Sequence, residues 1–540
     1  MTETTTAGPH RPVADQGGRG ATLTTLLACL GVFVAYVPVG GVSVALPTIQ
    51  RGLRASTSDL QWISDSFVLA MAALILTSGL IGDKYGRKKA YLGGMVLFAV
   101  GCAVNLTAHG AAQLWVGQAV SGAGAAALLT STLALISHAH PDFRTRAKAI
   151  AAWATCLGLG MALGPLLTGV ILEHASWRWI FLPALVVAAA GLATAVFLLE
   201  DSRAPQAPRL DVPGQVTALL GIAALVYAVI EGGSSGWGLG RVVAAFAVAA
   251  VSLTAFVLVE QRSDAPMLRM SLFASRAYSG AGVAIVLAMF ALVGLIFLLS
   301  LFFGQVQGLS ALQIAWRFLV PFGLMVLSGP VVARLMNRAA PGLLLVLGLV
   351  VTAGGCLALF SVEADSGFVA EALPLVAVGV GFAFVMTPIT AIAVGSVPHH
   401  LAGMAGAGSN TLRQAGGALG PAVLGAVLTS RQSGALPGHL ASSGLSPREQ
   451  TLVHEQVSRH GAAVVARLGL RPDRTADAGH ALALSFTDAL HVCLALCGTA
   501  LLAAAVLVFF LVGIRRPVRP AAGTDTPAPT PATVPRPAAR

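Results

Sequence analysis

The sequence predicts an all-α integral membrane protein of about fourteen transmembrane helices, and three observations carry that prediction. Of its 540 residues, 56% are hydrophobic and only 10% charged, with a mean hydropathy of +0.81. Soluble domains hold about 25% charged residues, and a soluble fold could not hide so much apolar surface. The apolar residues fall into runs long enough for the roughly 20 residues that a bilayer demands of a helix. The basic residues gather on alternate sides of those runs, which sets a membrane topology. A net charge of +11 and a pI near 10.0 would suit nucleic acid, but cations beside apolar spans point to a lipid surface instead.

Residues 1–20 are polar and carry acidic residues ahead of the first apolar run, so they are read as a disordered N-terminus and not as a signal peptide. Six spans follow at 22–48, 60–81, 90–108, 114–137, 149–172 and 179–199, within a first unit of 21–200. Two linker spans, at 214–231 and 242–260, occupy 201–276. Six more, at 278–303, 312–335, 342–361, 369–393, 405–429 and 489–513, make up a second unit of 277–513. That unit is interrupted by a polar connection at 430–488, in which an amphipathic helix is expected around Glu449 to Leu470. Residues 514–540, rich in Pro, Ala and Thr, read as a disordered tail, with Arg515, Arg516 and Arg519 against anionic headgroups.

An even number of spans puts both termini on one side. That side collects Lys84, Arg87, Lys88 and Lys89, then Arg144, Arg146 and Lys148, then Arg203, Arg209, Arg262, Arg269, Arg276, Arg334 and Arg338. The opposite short loops hold little beyond Arg51, Arg54, Arg178 and Arg241, so the first side, with both termini, is expected to be cytoplasmic. The long 430–488 connection does not vote, because long loops translocate largely regardless of charge. The six cysteines, among them Cys493 and Cys497 one helical turn apart, all lie in apolar runs without a histidine or carboxylate cluster at ligand spacing. They read as packing, with no disulfide, metal or cofactor expected.

The run GMALGPLLTGVIL at Gly160 to Leu172 recurs as GGALGPAVLGAVL at Gly416 to Leu428, with seven of thirteen positions identical at an offset of 256. Both copies fall in helices running from the cytoplasm outwards, which argues for two related halves in parallel orientation. Parallel repeats about an axis normal to the membrane, with substrate between them, are a transporter plan. The linker spans are then extra.

Between the second and third spans the chain reads Gly79-Leu-Ile-Gly-Asp83-Lys84-Tyr-Gly86-Arg87-Lys88-Lys89. Its glycines allow a tight turn, and Asp83, one acid among four cations, is placed to pair with Arg87 or to meet a helix N-terminus, as a latch between states. The plainer reading is a positive topology anchor, although charge alone would not require that spacing.

With this loop the sequence resembles the major facilitator superfamily, most closely the fourteen-helix drug:proton antiporter branch of EmrB/QacA-type multidrug exporters. Gln61-Trp62-Ile63, Gly122 to Ala126, Ser176 to Trp179, Leu210 to Gly214 and Asn410-Thr411-Leu412-Arg413-Gln414 support it. The resemblance implies two six-helix bundles plus two extra helices, and a cytoplasmic gating loop of Gly79, Asp83, Lys84, Gly86, Arg87 and Lys88. It also implies an antiporter-motif helix at Gly160, Gly164, Pro165 and Gly169, where Thr168 replaces the usual glycine. Close packing alone would account for the same small residues. Two charges common in relatives are absent: no acid stands in the stretch Tyr36 to Ser43, and Gln118 replaces a fourth-helix arginine. Losing both together leaves neither charge unpaired.

Asp65 remains as the acid inside the first half's membrane region, and an intramembrane acid is a functional candidate by default. Ser58-x-x-Gln61 reads as the capping box of its helix. The resemblance implies a part for Asp65 in proton handling; hydration at the outer interface is the alternative. Arg413 either faces a cavity or bonds to its neighbours as structure, Arg317 reads as an anchor that snorkels outward, and Asp488 with His491 reads as a pair or a cap at the start of the last helix. Tyr36, Gln118, Asn410, Arg413 and Gln414 are the candidate cavity residues. The function expected is secondary export of small amphipathic compounds such as drugs and antibiotics, coupled to protons, by a monomer in the cell membrane. An importer or uniporter of the same fold is the alternative. No nucleotide-binding loop or nucleophile constellation suggests an enzyme or an ATP-driven pump.

Overall fold

The computed structural model describes residues 14–203, 211–263, 266–398, 401–460, 465 and 468–513. They fold into fifteen α-helices: α1 Ala14–Leu53, α2 Thr57–Tyr85, α3 Arg87–Leu106, α4 Ala111–Ala139, α5 Phe143–His174, α6 Leu182–Leu198, α7 Val212–Ser235, α8 Gly240–Arg262, α9 Arg276–Leu301, α10 Ala311–Leu335, α11 Pro341–Ala358, α12 Phe368–Gly395, α13 Ala402–Ser442, α14 Pro447–His460 and α15 Pro472–Leu511. Among the described residues thirteen helices are long and apolar enough to cross a membrane. The span expected at 405–429 lies in α13, a helix of 41 residues whose glycine-rich, polar-interrupted sequence makes it less apolar than the rest. The protein is a multi-pass membrane protein.

α1 packs on α4, α5 and α6, while α4 also holds α2 and α3. In the second half α9 packs on α12, α13 and α15, and α12 holds α10 and α11. The internal repeat explains the correspondence. A side chain at Gly160 would meet the carbonyl of Phe33 on α1 at 2.7 Å, and one at Gly164 would run into the carbonyl of Val37. At the equivalent places on α13, Gly416 faces the Val286 carbonyl of α9 and Gly420 the Phe290 carbonyl. The repeated glycines therefore do the same work twice, bringing two backbones into contact where lipid supplies no hydrophobic drive. α7 packs on α8 and also touches α2 and α13, so the extra pair stands beside the junction of the halves.

The closest contacts between the halves run from mid-membrane to the end where α1 finishes. Ser300 donates to the Ser43 carbonyl, and Gln305 donates to Gln50 at 2.7 Å. Gly169 on α5 receives Ala315 and Leu312 of α10, while Gly158 receives Val326. The Gly79–Lys88 loop lies at the opposite end of α2, and its bonds run to α4, to α6 and to the turn after α6. Among the described residues these bonds between the halves lie towards the end where α1 finishes, and the loop's own bonds stay within the first half.

The 430–488 connection is more ordered than its polarity suggested. α13 continues to Ser442, α14 is described over Pro447–His460, and α15 begins at Pro472. Leu436, Leu440, Leu445, Val453 and Leu482 give this helical cap a small hydrophobic core of its own. Asp488 consequently lies inside α15, not at its start, and pairs with His439 at 2.7 Å. His491 stacks on Phe360 with ring centroids 5.1 Å apart.

Candidate functional site

α2 begins two residues earlier than expected: its N-cap is Ser56, whose hydroxyl accepts from Asp59 N while Asp59 accepts from Ser56 N, a capping box in place of the one expected at Ser58 and Gln61. Gln61 is free for another task. Its amide donates to the Pro421 and Ala422 carbonyls of α13 at 3.1 and 3.0 Å, and Val68 lies 3.5 Å from where a Gly417 side chain would start. Gln61, Asp65 and Val68 share one helical face, so Asp65 lies on the stripe turned to α13. Asp65 is 0% exposed, and neither carboxylate oxygen has a hydrogen-bond partner. As an ion it would be an uncompensated charge in a low-dielectric seam, at a cost of several kcal/mol. On the facing helix the amide nitrogen of buried Gln414 is also without a partner.

The other candidates divide. Gln118 donates to the Ile63 carbonyl of α2 and accepts from Asn105, both at 3.3 Å, so it is committed to packing among α2, α3 and α4. Asn410 is half-buried on α13. Tyr36 rests on α5 where Gly160 leaves room for it, its Cβ 3.2 Å from the position a side chain there would take. Arg413 stands within electrostatic range of Tyr36 and, among the described residues, donates only to Thr390 Oγ1 at 3.3 Å, with its Nε unpartnered.

In the loop, Arg87 pairs with Asp83 at 2.9 Å and donates to the Ala134 carbonyl at 3.4 Å. Asp201 accepts from Lys88 N at the start of α3, and Lys88 Nζ donates to the Val196 carbonyl at 2.9 Å. Gly86 takes a φ of 120°, with the Asp201 carboxylate 2.7 Å from where its Cβ would stand, so a side chain is excluded twice over. Gly79 lies against Thr130. In the antiporter-motif helix, Pro165 leaves the Met161 carbonyl without its helical donor, and that carbonyl faces Gly40 of α1. Thr168 is accommodated by Gly41, where a side chain would start 2.6 Å from the threonine hydroxyl: the small residue stands on the opposing helix.

Arg317 does not snorkel outward. Its Nε donates to Glu371 at 2.6 Å, Gln307 donates to the other oxygen of the same carboxylate at 2.8 Å, and the guanidinium lies over Phe303 and Phe368. Glu371 is 0% exposed. Its partner lies on another helix 54 positions away, so no local pattern signalled the pair.

A profile of the Major Facilitator Superfamily matches residues 28–421. The chain belongs to the major facilitator superfamily. Among superfamily relatives, the tetracenomycin C resistance and export protein of Streptomyces glaucescens is 32% identical over 507 residues, 93% of each chain. The multidrug resistance protein Stp of Mycobacterium tuberculosis is 34% identical, covering 80% of each chain. The puromycin resistance protein of Streptomyces alboniger is 33% identical over 75% of this chain and 80% of its own. A solved bacterial homologue of the human lysosomal transporter Spinster superposes with a TM-score of 0.62 at 15% identity, over 94% of this chain and all of the other. A peptide transporter, POT, follows with a TM-score of 0.58 at 18% identity, over 93% and 96% of the two chains. These two share the fold.

Proposed function

We propose that this chain exports small amphipathic or hydrophobic compounds, antibiotics among them, in exchange for protons by alternating access. The observation that carries the coupling is Asp65, fully buried and unpartnered on the helix seam that joins the halves. Closed in this seam the carboxyl is stable only as the neutral acid; opened to water it can ionise, so its proton is tied to the movement of the halves. The names of the relatives, which speak of drug resistance and export, support the substrate class.

In this reading the units 21–200 and 277–513 are the moving bundles of a monomer, and the positive-inside side, with both termini, is cytoplasmic. The end that carries the Gly79–Lys88 loop then faces the cytoplasm. The Asp83–Arg87 latch, which bonds within its own half among the described residues, takes up the other half in the alternate state. An importer or uniporter is the second reading, favoured by the absence of an acid between Tyr36 and Ser43 and by Gln118 serving packing.

Everted vesicles carrying the protein test the proposal. With an acidified lumen they should accumulate a lipophilic dye or antibiotic, and a protonophore or Asp65→Asn should abolish uptake. Uptake of equal extent with the proton gradient collapsed would overturn the coupling.

A further inference from the structure

Arg317 and Arg413 both stand inside spans of the second half, and the fold treats them differently. Arg317 has a buried carboxylate, the Gln313 carbonyl and two aromatic faces around it. Arg413 has one hydrogen bond, of 3.3 Å, to a threonine hydroxyl, and no carboxylate pairs with it among the described residues. A guanidinium carries five donors and does not shed its proton in proteins; here one donor meets Thr390 and the buried Nε has no partner among the described residues. Asp65, whose carboxyl oxygens are unpartnered as well, forms no bond to it. An intramembrane cation of this kind persists where something else supplies the counter-charge.

Its position says what that is. Arg413 stands on α13 within electrostatic range of Tyr36 on α1, a residue of the other half. The Arg413 guanidinium therefore offers unused donors beside Tyr36. The donors fit an anionic oxygen pair, which a guanidinium grips in a two-pronged fashion that a neutral or cationic group cannot use.

We propose that Arg413 is the recognition point for an acidic group of the substrate, and that the transporter selects amphipathic organic anions and weak acids, such as carboxylates, sulfonates and phenolates. This rests on the export reading and narrows its substrate class.

Two probes that share an aromatic skeleton and differ in charge test it: 8-anilino-1-naphthalenesulfonate and neutral N-phenyl-1-naphthylamine, with ethidium as the cation. Binding to the purified full-length protein is measured by equilibrium dialysis, and transport in proteoliposomes. Wild type should bind the sulfonate at least tenfold more tightly than the other two. Arg413→Gln should lose that preference while holding the neutral probe within twofold, which also reports that it is folded, and Arg413→Lys should recover part of it. Equal affinity of wild type for ethidium and the sulfonate, or an unchanged sulfonate affinity in Arg413→Gln, would overturn the proposal. Transport of all three probes without charge preference would remove the anion site and leave export standing. Arg413-dependent sulfonate binding without transport would do the reverse.

Discussion

The amide of Gln61 donates to the Pro421 carbonyl at 3.1 Å, across the seam that joins α2 to α13. With its second bond, to Ala422, it is a polar rivet between halves that must part during transport. Gln61→Leu removes both bonds, worth about 1–3 kcal/mol together, and so shifts the equilibrium away from this arrangement by about 5- to 150-fold. A disulfide between cysteines at Ser43 and Ser300, engineered with the six native cysteines replaced, reads the shift. Its yield should fall in Gln61→Leu.

The repeated glycines make a sharper structural prediction. Alanine at Gly164 or Gly420 drives a methyl group into a backbone carbonyl that has nowhere to go, and should lower stability by about 1–3 kcal/mol. Gly323 has nothing within 4 Å, so Gly323→Ala should leave thermal stability unchanged or slightly raised. Thermal melts followed by size-exclusion chromatography separate the three variants.

The repeat is also where the sequence was most informative. Seven identities in thirteen residues predicted equivalent helices, and Gly160 and Gly164 meet α1 just as Gly416 and Gly420 meet α9. Asp65 was legible for a similar reason: one acid in an apolar run stands out. That both its oxygens lack partners was not, because a missing partner is a property of the neighbouring helix. Arg317 was misread for the same cause, since Glu371 sits at the start of a different helix and each residue alone looks interfacial. Ser56 lost to Ser58 because neighbouring hydroxyls offer two caps a short step apart, and only the backbone geometry chooses. The cap at 430–488 looked like loop because its apolar residues are few, yet they meet in one small core.

The Arg317–Glu371 pair should behave as a buried ion pair does. Removing one partner by Glu371→Leu leaves an arginine without its counter-charge and should cost about 3–5 kcal/mol. Arg317→Met combined with Glu371→Leu should recover most of that loss. A double variant no more stable than the single one in denaturant-induced unfolding would show that the carboxylate acts through Gln307 instead.

The cap carries a pH dependence of known sign. The Ser446 hydroxyl, then its backbone N–H, hydrogen-bond the Glu449 carboxylate and hold it below its usual range. The capping contribution at the start of α14 is therefore complete above the ordinary glutamate value and lost as pH falls through the depressed one. Amide exchange across 446–453, corrected for its intrinsic pH dependence, should speed up on acidification in wild type. Glu449→Gln should remove that dependence.

The central claim is that Asp65 holds the proton exchanged for substrate, and substrate-induced proton release from purified protein in weakly buffered detergent measures it most directly. Wild type should release protons when it binds a ligand from a panel of lipophilic antibiotics and dyes, and Asp65→Asn should bind the same ligand without release. Binding without proton release in wild type, or release of equal size in Asp65→Asn, would contradict the account.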